Sequence, residues 1–509
     1  MALAPFFERA ATAASQVLSE FGTAAFADRL QAHVVGIAFD GEAARSREGA
    51  ATLDLTVRLL ARLYPTLAIE ALDDGGRERA VELRALASAI NPVVDLNPDC
   101  RRATVVVCVG GSVPDTDATV LYAGSDGWIA SFARSGPLGS GETSNPFGAG
   151  VTACLAAANV FRTVFRDQLV NGDLDPDLAL DLRSYRPASE VTVADPLGRI
   201  DLGEAHLVGL GAIGNGAVWA LARIEDAVGT LHLVDHEAVD LSNLQRYAMA
   251  GHHDIDAPKV DVAARVLGTT GLRVVRHQMS WDAYLADRGD WRLERVAVAL
   301  DTAADRIAAQ GSLPRWIANA WTQEGDLGVS RHGFDDGRAC LACLYLPQGA
   351  VKDEDDRIAE ELGMPEAQPE IRRMLQTGES VPVAFVDRIA AALRIPSGAL
   401  HPFVGQPLRS FYQNAICGGV VFRLTDGEQP VKAVVPMAFQ SAMAGLMLAA
   451  ELVKHASGTL DAPTTITRLN LLRPIGSHLH DPRQPDVSGR CLCGDSDFRD
   501  AYRCKYPVA

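Results

Sequence analysis

Apolar and polar positions along this chain fall into two rounds of short buried strands and amphipathic helices. In the first round, HVVGIAF (His33–Phe39) predicts a strand, a helix follows over Thr52–Leu63, and LAIEAL near Leu67 and ATVVVCV near Val106 predict two more strands. In the second round a strand ends at His206–Val208, a glycine turn with Gly209, Gly211 and Gly214 leads into a helix, and the strand LHLV ends on Asp235. A later strand, Val296–Leu300, ends on Asp301. Each round closes on an apolar, small-residue-rich helix, Phe147–Phe165 in the first and Ala438–His455 in the second. The repetition predicts two α/β domains built on one plan. Between them, residues 171–198 are rich in Asp and Pro and read as a linker with one short strand. Residues 346–417 show helical spacing interrupted by Pro and Gly, a helical insertion into the second round.

Length, charge and composition narrow the picture further. A chain of 509 residues is too long for one core. The net charge of −17 argues against non-specific binding to nucleic acid or an anionic membrane. No apolar run reads as long enough to span a bilayer, the richest, Met437–Leu452, being interrupted by Gln440, Ser441 and Glu451. The N-terminus lacks the basic flank and long apolar core of a signal peptide, so the expected location is the cytoplasm, where nine cysteines point to metal binding or catalysis before disulfides.

The second round carries the chemistry. Its glycines let the backbone approach a phosphate, and the helix start adds partial positive charge. Asp235 stands where an acid holds ribose hydroxyls. Beyond it come Ser242-Asn243-Leu244-Gln245-Arg246 and then Lys259. A dehydrogenase has no need of two cations aimed back at the phosphates, whereas an enzyme that cleaves ATP must offset the charge that develops there.

This combination resembles the adenylating superfamily of ubiquitin-activating enzymes and their bacterial relatives of the ThiF, MoeB and HesA type. Tyr247 departs from the family pattern, which has Gln at that place. The resemblance implies two Rossmann-like adenylation domains. In the active one (199–345 and 418–480) Arg246 and Lys259 offset phosphate charge, Asn243 orients the phosphates, Asp235 holds the ribose and Asp301, with Arg306 five residues on, holds Mg²⁺ on the ATP. Capping of the next helix is the competing role for Asp301. The first domain (1–170) keeps Gly36 and Gly41 of the turn but has Ala38 between them, Asp40 beside the phosphate position, and no S-N-L-x-R or matching Lys. It reads as an inactive copy paired with the active one. Family members send an Arg from one copy to the partner's ATP; Arg9 stands at a comparable place, with Arg183 and Arg186 as rivals.

The cysteines divide into two sets. Cys340-x-x-Cys343 and Cys491-x-Cys493 form the pairs of a tetrahedral Zn²⁺ site, which would pin the tail (481–509) to the active domain; the second pair is one residue shorter than the family's, which leaves Cys504 as an alternative ligand. Cys417, followed by Gly418 and Gly419, ends the helical insertion (346–417) near the place of the family's thioester-forming cysteine. His401 and Arg409 lie close to it in sequence without an assigned role.

The implied function is activation of a ubiquitin-like protein: adenylation of the free C-terminal carboxylate of a β-grasp partner, thioester formation on Cys417, and transfer to a separate conjugating enzyme, since no segment reads as a fused conjugating domain. Within the family the resemblance is closest to the activating enzymes of bacterial ubiquitin-like conjugation operons of the Bil type, associated with antiphage defence. The alternatives are a MoeB/ThiF-like adenylyltransferase for a sulfur-carrier protein or a peptide, a non-catalytic binding scaffold and, more distantly, a nicotinamide oxidoreductase.

Overall fold

A computed structural model describes residues 3–188, 197–289, 292–323, 325–346, 354–412, 415, 435–458, 465–476 and 479–507. The chain forms two compact units, Met1–Phe6 with Arg29–Leu346 and Pro436–Ala509, and Phe7–Asp28 with Pro347–Val435.

The larger unit contains two mixed sheets. The first has strands β1 (Val35–Phe39), β2 (Leu67–Ala71), β3 (Val105–Val109), β4 (Thr119–Asp126), β5 (Ile129–Ala133), β6 (Leu178–Asp181) and β7 (Arg186–Pro187), in the order β2-β1-β3-β4-β5-β6-β7. The second has β8 (Ile200–Val208), β9 (Ala227–Val234), β10 (Arg273–His277), β11 (Arg295–Val298), β12 (Trp316–Thr322), β13 (Leu327–His332), β14 (Ile466–Leu469) and β15 (His480–Asp481), in the order β10-β9-β8-β11-β12-β13-β14-β15. In each sheet a parallel half passes into an antiparallel half, at β4/β5 in the first and at β12/β13 in the second. Apart from β10, every strand of the second sheet has a counterpart of the same order and sense in the first. The central strands β1 and β3 are buried along their whole length, which accounts for their unbroken apolar runs.

Helix α1 (Arg47–Leu60) follows β1, and α2 (Pro146–Phe165) follows β5. Helix α3 (Ala212–Leu221) follows β8, α4 (Lys259–Leu267) precedes β10, and α5 (Ala438–Ser457) precedes β14. Small residues let these helices approach closely: a Cβ on Gly445 of α5 would stand 2.1 Å from the Ile213 carbonyl oxygen of α3. Trp219 of α3, fully buried, donates through Nε1 to Asp54 of α1 at 2.8 Å, and Arg223 stacks on its ring at 4.2 Å.

Three expectations are corrected here. The segment read as a linker contributes two strands, β6 and β7, to the first sheet. Its Tyr185 donates to Glu451 of α5 at 2.9 Å, beside Arg331 and Lys454, which hold the same carboxylate at 2.6 and 2.5 Å. The helix beginning at Pro146 is long and apolar enough to cross a membrane by length and composition, contrary to the reading that no run is; 94% of that stretch is buried inside the protein. Finally, Phe7–Asp28 groups with the helical insertion and not with the first sheet.

In the smaller unit, helices at Glu354–Glu361, Gln368–Thr377 and Val383–Ala392 surround an apolar core that includes Ile358, Ile371, Phe385, Ile389 and Phe411. This unit thus has an apolar core of its own.

Candidate functional site

The site forms at the carboxyl ends of β8, β9 and β11. β8 has β9 on one side and β11 on the other, the point in a parallel sheet where successive connections diverge and leave a crevice. Gly209 ends β8 with φ +88°, a conformation that disfavours any side chain, and a Cβ there would meet the Ala299 carbonyl oxygen at 2.4 Å. Gly211 caps the start of α3, and a Cβ on Gly214 would meet the Gly209 oxygen at 2.3 Å. All three glycines of the motif thus lie in the tight turn that directs backbone N–H groups outward at the helix start.

Asp235 follows β9 and is almost buried. Its Oδ2 accepts from the Leu210 N–H at 2.7 Å and its Oδ1 from the Glu237 N–H at 2.8 Å. The carboxylate therefore braces the glycine turn, and each oxygen retains a lone pair for a further donor. Asn243 lies in a short 3-10 helix, Leu241–Gln245, where its Oδ1 accepts from the Asp240 N–H at 3.0 Å and Asp240 accepts from the Ser242 N–H at 2.8 Å. The S-N-L stretch thus builds its own cap, which commits the Asn243 oxygen to the backbone.

Arg246 and Lys259 converge. The Arg246 guanidinium lies 5.8 Å and the Lys259 ammonium 5.3 Å from the centre of the Tyr247 ring, so the residue that departs from the family pattern is the ring between the two cations. Arg246 Nη1 is buried without a hydrogen-bond partner among the described residues. Lys259 is buried and ion-paired with the half-exposed Glu237. Burial works against the charge on Lys259, but Tyr247, Asp235 and Glu237 around it outweigh burial and hold the ammonium pKa above its ordinary value. A buried ammonium and a half-buried guanidinium, with the partly solvated Glu237 as ion-pair partner and Asp235 nearby, make a site suited to polyanions.

Asp301 is exposed in the loop after β11. The cap of the next helix is Thr302, whose Oγ1 accepts from the Asp305 N–H at 3.0 Å, so the competing structural role belongs to the neighbouring residue. Arg306 donates to Asn319 Oδ1 at 3.1 Å and lies 4.9 Å from the centre of the Tyr345 ring. Arg9 sits half-buried in the helix Phe7–Ser15 of the smaller unit. Of its rivals, Arg183 is ion-paired with Asp181 at 3.1 Å and Arg186 is exposed on β7. Cys417 lies outside the described residues.

The predicted cysteine set comes together. Sulfur–sulfur distances are 3.8 Å for Cys340–Cys343, 3.5 Å for Cys340–Cys491, 3.3 Å for Cys343–Cys491 and 3.4 Å for Cys343–Cys493. Four thiolates about 2.3 Å from one zinc stand roughly 3.8 Å apart, so the spacing suits a tetrahedral ion. Cys504 is exposed on helix α6 (Ser496–Lys505) and is not in the group. α6 is fixed beside it by Arg499 and Arg503, both on Asp335 at 2.9 and 2.7 Å.

Asn215 was not singled out in the sequence. Its Nδ2 donates to the carbonyls of Leu210 and Gly211 at 2.9 and 3.0 Å, and its Oδ1 accepts from the Met249 N–H at 3.1 Å, tying the glycine turn to the Arg246 loop. An Asn one residue after the third glycine, inside an otherwise apolar helix, was the available signal.

Residues 192–493 match the model of the ThiF family, more than half of the chain. The chain belongs to the ThiF family. Residues 38–166 match a second model, Prokaryotic E2 family C. An uncharacterized protein of Sinorhizobium fredii, y4jF, is 57% identical to this ThiF-family chain over 99% of its length and 98% of that protein's. The sulfur carrier protein ThiS adenylyltransferase of Escherichia coli is 28% identical over 42% of this chain and 85% of its own. Among solved structures, E. coli MccB with MccA-N7isoASN has 14% identity and a TM-score of 0.36, covering 58% of this chain and 67% of that one.

The second match gives the first sheet the name of a conjugating family, where the sequence reading found no conjugating segment. The cysteines within that match are Cys100, Cys108 and Cys154, all buried. Burial pushes the thiols of Cys100 and Cys108 up to about 12, with nearby carboxylates adding to it, and raises that of Cys154 further. A conjugating enzyme needs an approachable thiolate, and none of these three supplies one. After β1, Asp40, 5% exposed, accepts from the backbone N–H groups of Ala43, Gly111 and Ser112 at 2.9, 2.8 and 3.0 Å.

Proposed function

We propose that this protein is the activating enzyme of a bacterial ubiquitin-like conjugation pathway. It adenylates the C-terminal carboxylate of a ubiquitin-like protein with ATP, forms a thioester on Cys417 and passes the acyl group to a separate conjugating enzyme in the cytoplasm. The observation that carries the reading is the convergence of Arg246 and Lys259 on the Tyr247 ring beside the glycine turn, with one partly solvated counter-ion.

In the first step a carboxylate oxygen attacks the α-phosphorus of ATP, the bond from that phosphorus to the bridging oxygen breaks, and pyrophosphate leaves. Arg246 and Lys259 offset the charge that builds on the phosphate oxygens. Asp301, exposed at the crevice, is the carboxylate suited to the Mg²⁺ that accompanies ATP, and Asp235 has lone pairs left for ribose hydroxyls. In the second step the Cys417 thiolate attacks the acyl carbon and AMP leaves. Arg9 is the candidate cation from outside the second sheet. The four-cysteine group would hold a structural Zn²⁺ that fixes the tail and takes no part in either step.

The shared strand order supports reading the first sheet as a degenerate adenylation copy, with Asp40 filling its phosphate position. Its buried cysteines support a conjugating enzyme on another chain. The Prokaryotic E2 family C match supports a bacterial conjugation setting; within it the proposed type is Bil, with antiphage defence as the associated role.

The test is intact-protein mass spectrometry of the enzyme with ATP, Mg²⁺ and a β-grasp protein with a free C-terminal carboxylate, wild type against Cys417→Ala. A thiol-reducible adduct, lost in the variant, is expected. Adenylate without an adduct would favour a second reading, a simple adenylyltransferase for a sulfur-carrier protein or peptide, which the similarity to the ThiS adenylyltransferase supports.

A further inference from the structure

Beyond its 3-10 turn, the loop that carries Arg246 has little regular structure to hold it. Its carbonyl groups are held from the first sheet. Arg62, in the turn after α1, donates through Nη1 to the Leu244 carbonyl and through Nη2 to those of Ala248 and Ala250 at 3.1 and 2.7 Å. Arg58, one helical turn earlier, adds a bond to the Ala248 carbonyl at 3.2 Å and is held at its other edge by Asp54 at 2.9 Å. Arg62 is 1% exposed. A buried guanidinium is costly unless its donors are used, and here Nη1 and Nη2 spend theirs on three carbonyls of one loop, while Nε lies buried without a partner among the described residues. Asn215 holds the same loop from the side of the glycine turn.

We propose that Arg62 is a positioning residue for the nucleotide site: by gripping residues 244–250 it fixes Arg246 and the Tyr247 ring, so that the first sheet makes the second competent. Its effect on turnover rests on the adenylation reading; its effect on the loop does not. A lysine would keep the charge but has a single nitrogen in place of a fork and cannot serve three carbonyls in this geometry.

The experiment compares full-length wild type, Arg62→Lys and Arg62→Ala, with Arg162→Lys as a control for loss of a buried arginine elsewhere in the first sheet's core, where Arg162 pairs with Asp175. Two quantities are read: hydrogen–deuterium exchange of the 241–250 amides, and ATP–pyrophosphate exchange with kcat and the KM for ATP separated. Arg62→Lys and Arg62→Ala should speed exchange in 241–250 by roughly tenfold or more over the rest of the second sheet, the equivalent of one or more lost charged hydrogen bonds. They should lower kcat by a similar factor with a smaller change in KM, because Arg246 acts mainly in the transition state. Arg162→Lys should leave 241–250 unchanged. Exchange that rises evenly along the chain, or an Arg62→Lys enzyme within twofold of wild type in kcat, would overturn the proposal. If Arg62→Ala does not fold, Arg62→Lys decides on the same readouts. A wild type without any ATP turnover would sink the adenylation reading and leave amide exchange to decide the clamp.

Discussion

Replacing Lys259 by Ala separates a phosphate-binding lysine from a structural one. The side chain is 5% exposed, and its ion-pair partner Glu237 is 57% exposed. Truncation therefore leaves a carboxylate that water can reach, unlike the loss of one half of a fully buried pair. The stability cost should stay at about 1.5–3 kcal/mol, the range for a lost hydrogen bond to a charged group. Catalysis should suffer more. An ammonium fixed beside the transferring phosphates in a water-poor crevice stabilises developing charge by about 3–4 kcal/mol, a loss of roughly 10²–10³ in kcat. The assay is ATP–pyrophosphate exchange at saturating ATP, paired with thermal unfolding. Because Asp235 and Glu237 help hold the Lys259 pKa above its ordinary value despite burial, the ammonium stays charged through neutral and mildly alkaline pH, and the loss should be the same at pH 7 and pH 9. Glu237→Gln supplies the opposite sign: with its counter-ion gone, Lys259 is free for phosphate and the KM for ATP should fall. A Lys259→Ala protein that remains folded and exchanges pyrophosphate within threefold of wild type would refute the role of this lysine and weaken the adenylation reading with it.

Three further outcomes are expected. Extensive chelation should release one zinc per chain and lower the melting temperature, and Cys491→Ser should do the same; a folded, zinc-grown protein free of metal by elemental analysis would count against the cysteine site. Glu451→Gln leaves Arg331 and Lys454 buried without their carboxylate and should cost about 3–5 kcal/mol in urea unfolding. Burial opposes the Glu451 charge, yet Lys454 and Arg331 outweigh it and hold the pKa at about 2, so its contribution is present above the unfolded value and fades as pH falls toward 2; a gap between wild type and variant that widens with acid would contradict this. Native alkylation should label the exposed Cys504 and spare Cys100, Cys108 and Cys154, and rapid labelling of Cys108 would reopen a conjugating role for the first sheet.

Much of the second sheet was legible because its elements are short, apolar and punctuated by residues with one structural use. Gly209 needs a positive φ, and Gly214 faces a backbone oxygen. The cysteine pairs were legible for a similar reason, since thiols at such short spacing, repeated far along the chain, have few uses besides holding a metal. Other features were hidden by local ambiguity. Arg62 reads as one more arginine in RLLARLYP, and only the fold shows that its acceptors lie some 180 residues away in the second sheet. The strands β6 and β7 are too short and too rich in Asp and Pro to announce themselves, and they persist because they extend an existing sheet. Residues 146–165 spell an apolar helix whose length alone fits a membrane, and only its packing shows that it is core. Thr302 was passed over as the cap because attention fell on the acid before it.

The two sheets share an order of strands but not a set of uses, and the difference can be followed atom by atom. In the second, the turn after β8 presents its N–H groups to a crevice, and Asp235 stabilises that turn from behind. In the first, Asp40 lies within the turn itself and accepts from the Ala43 N–H of that turn and from the Gly111 and Ser112 N–H groups beyond β3. The helix that follows β1 carries Asp54, Arg58 and, just beyond its end, Arg62, all directed at the second sheet: Asp54 at Trp219 and Arg223, the two arginines at the loop carrying Arg246. Burying a charge is expensive, and the buried Arg62, with the part-buried Asp54 and Arg58 beside it, spends its donors on the second sheet's loop where apolar residues would serve packing better. Their common direction is the physical reason to regard the first sheet as part of the machinery of the second and not as a remnant beside it.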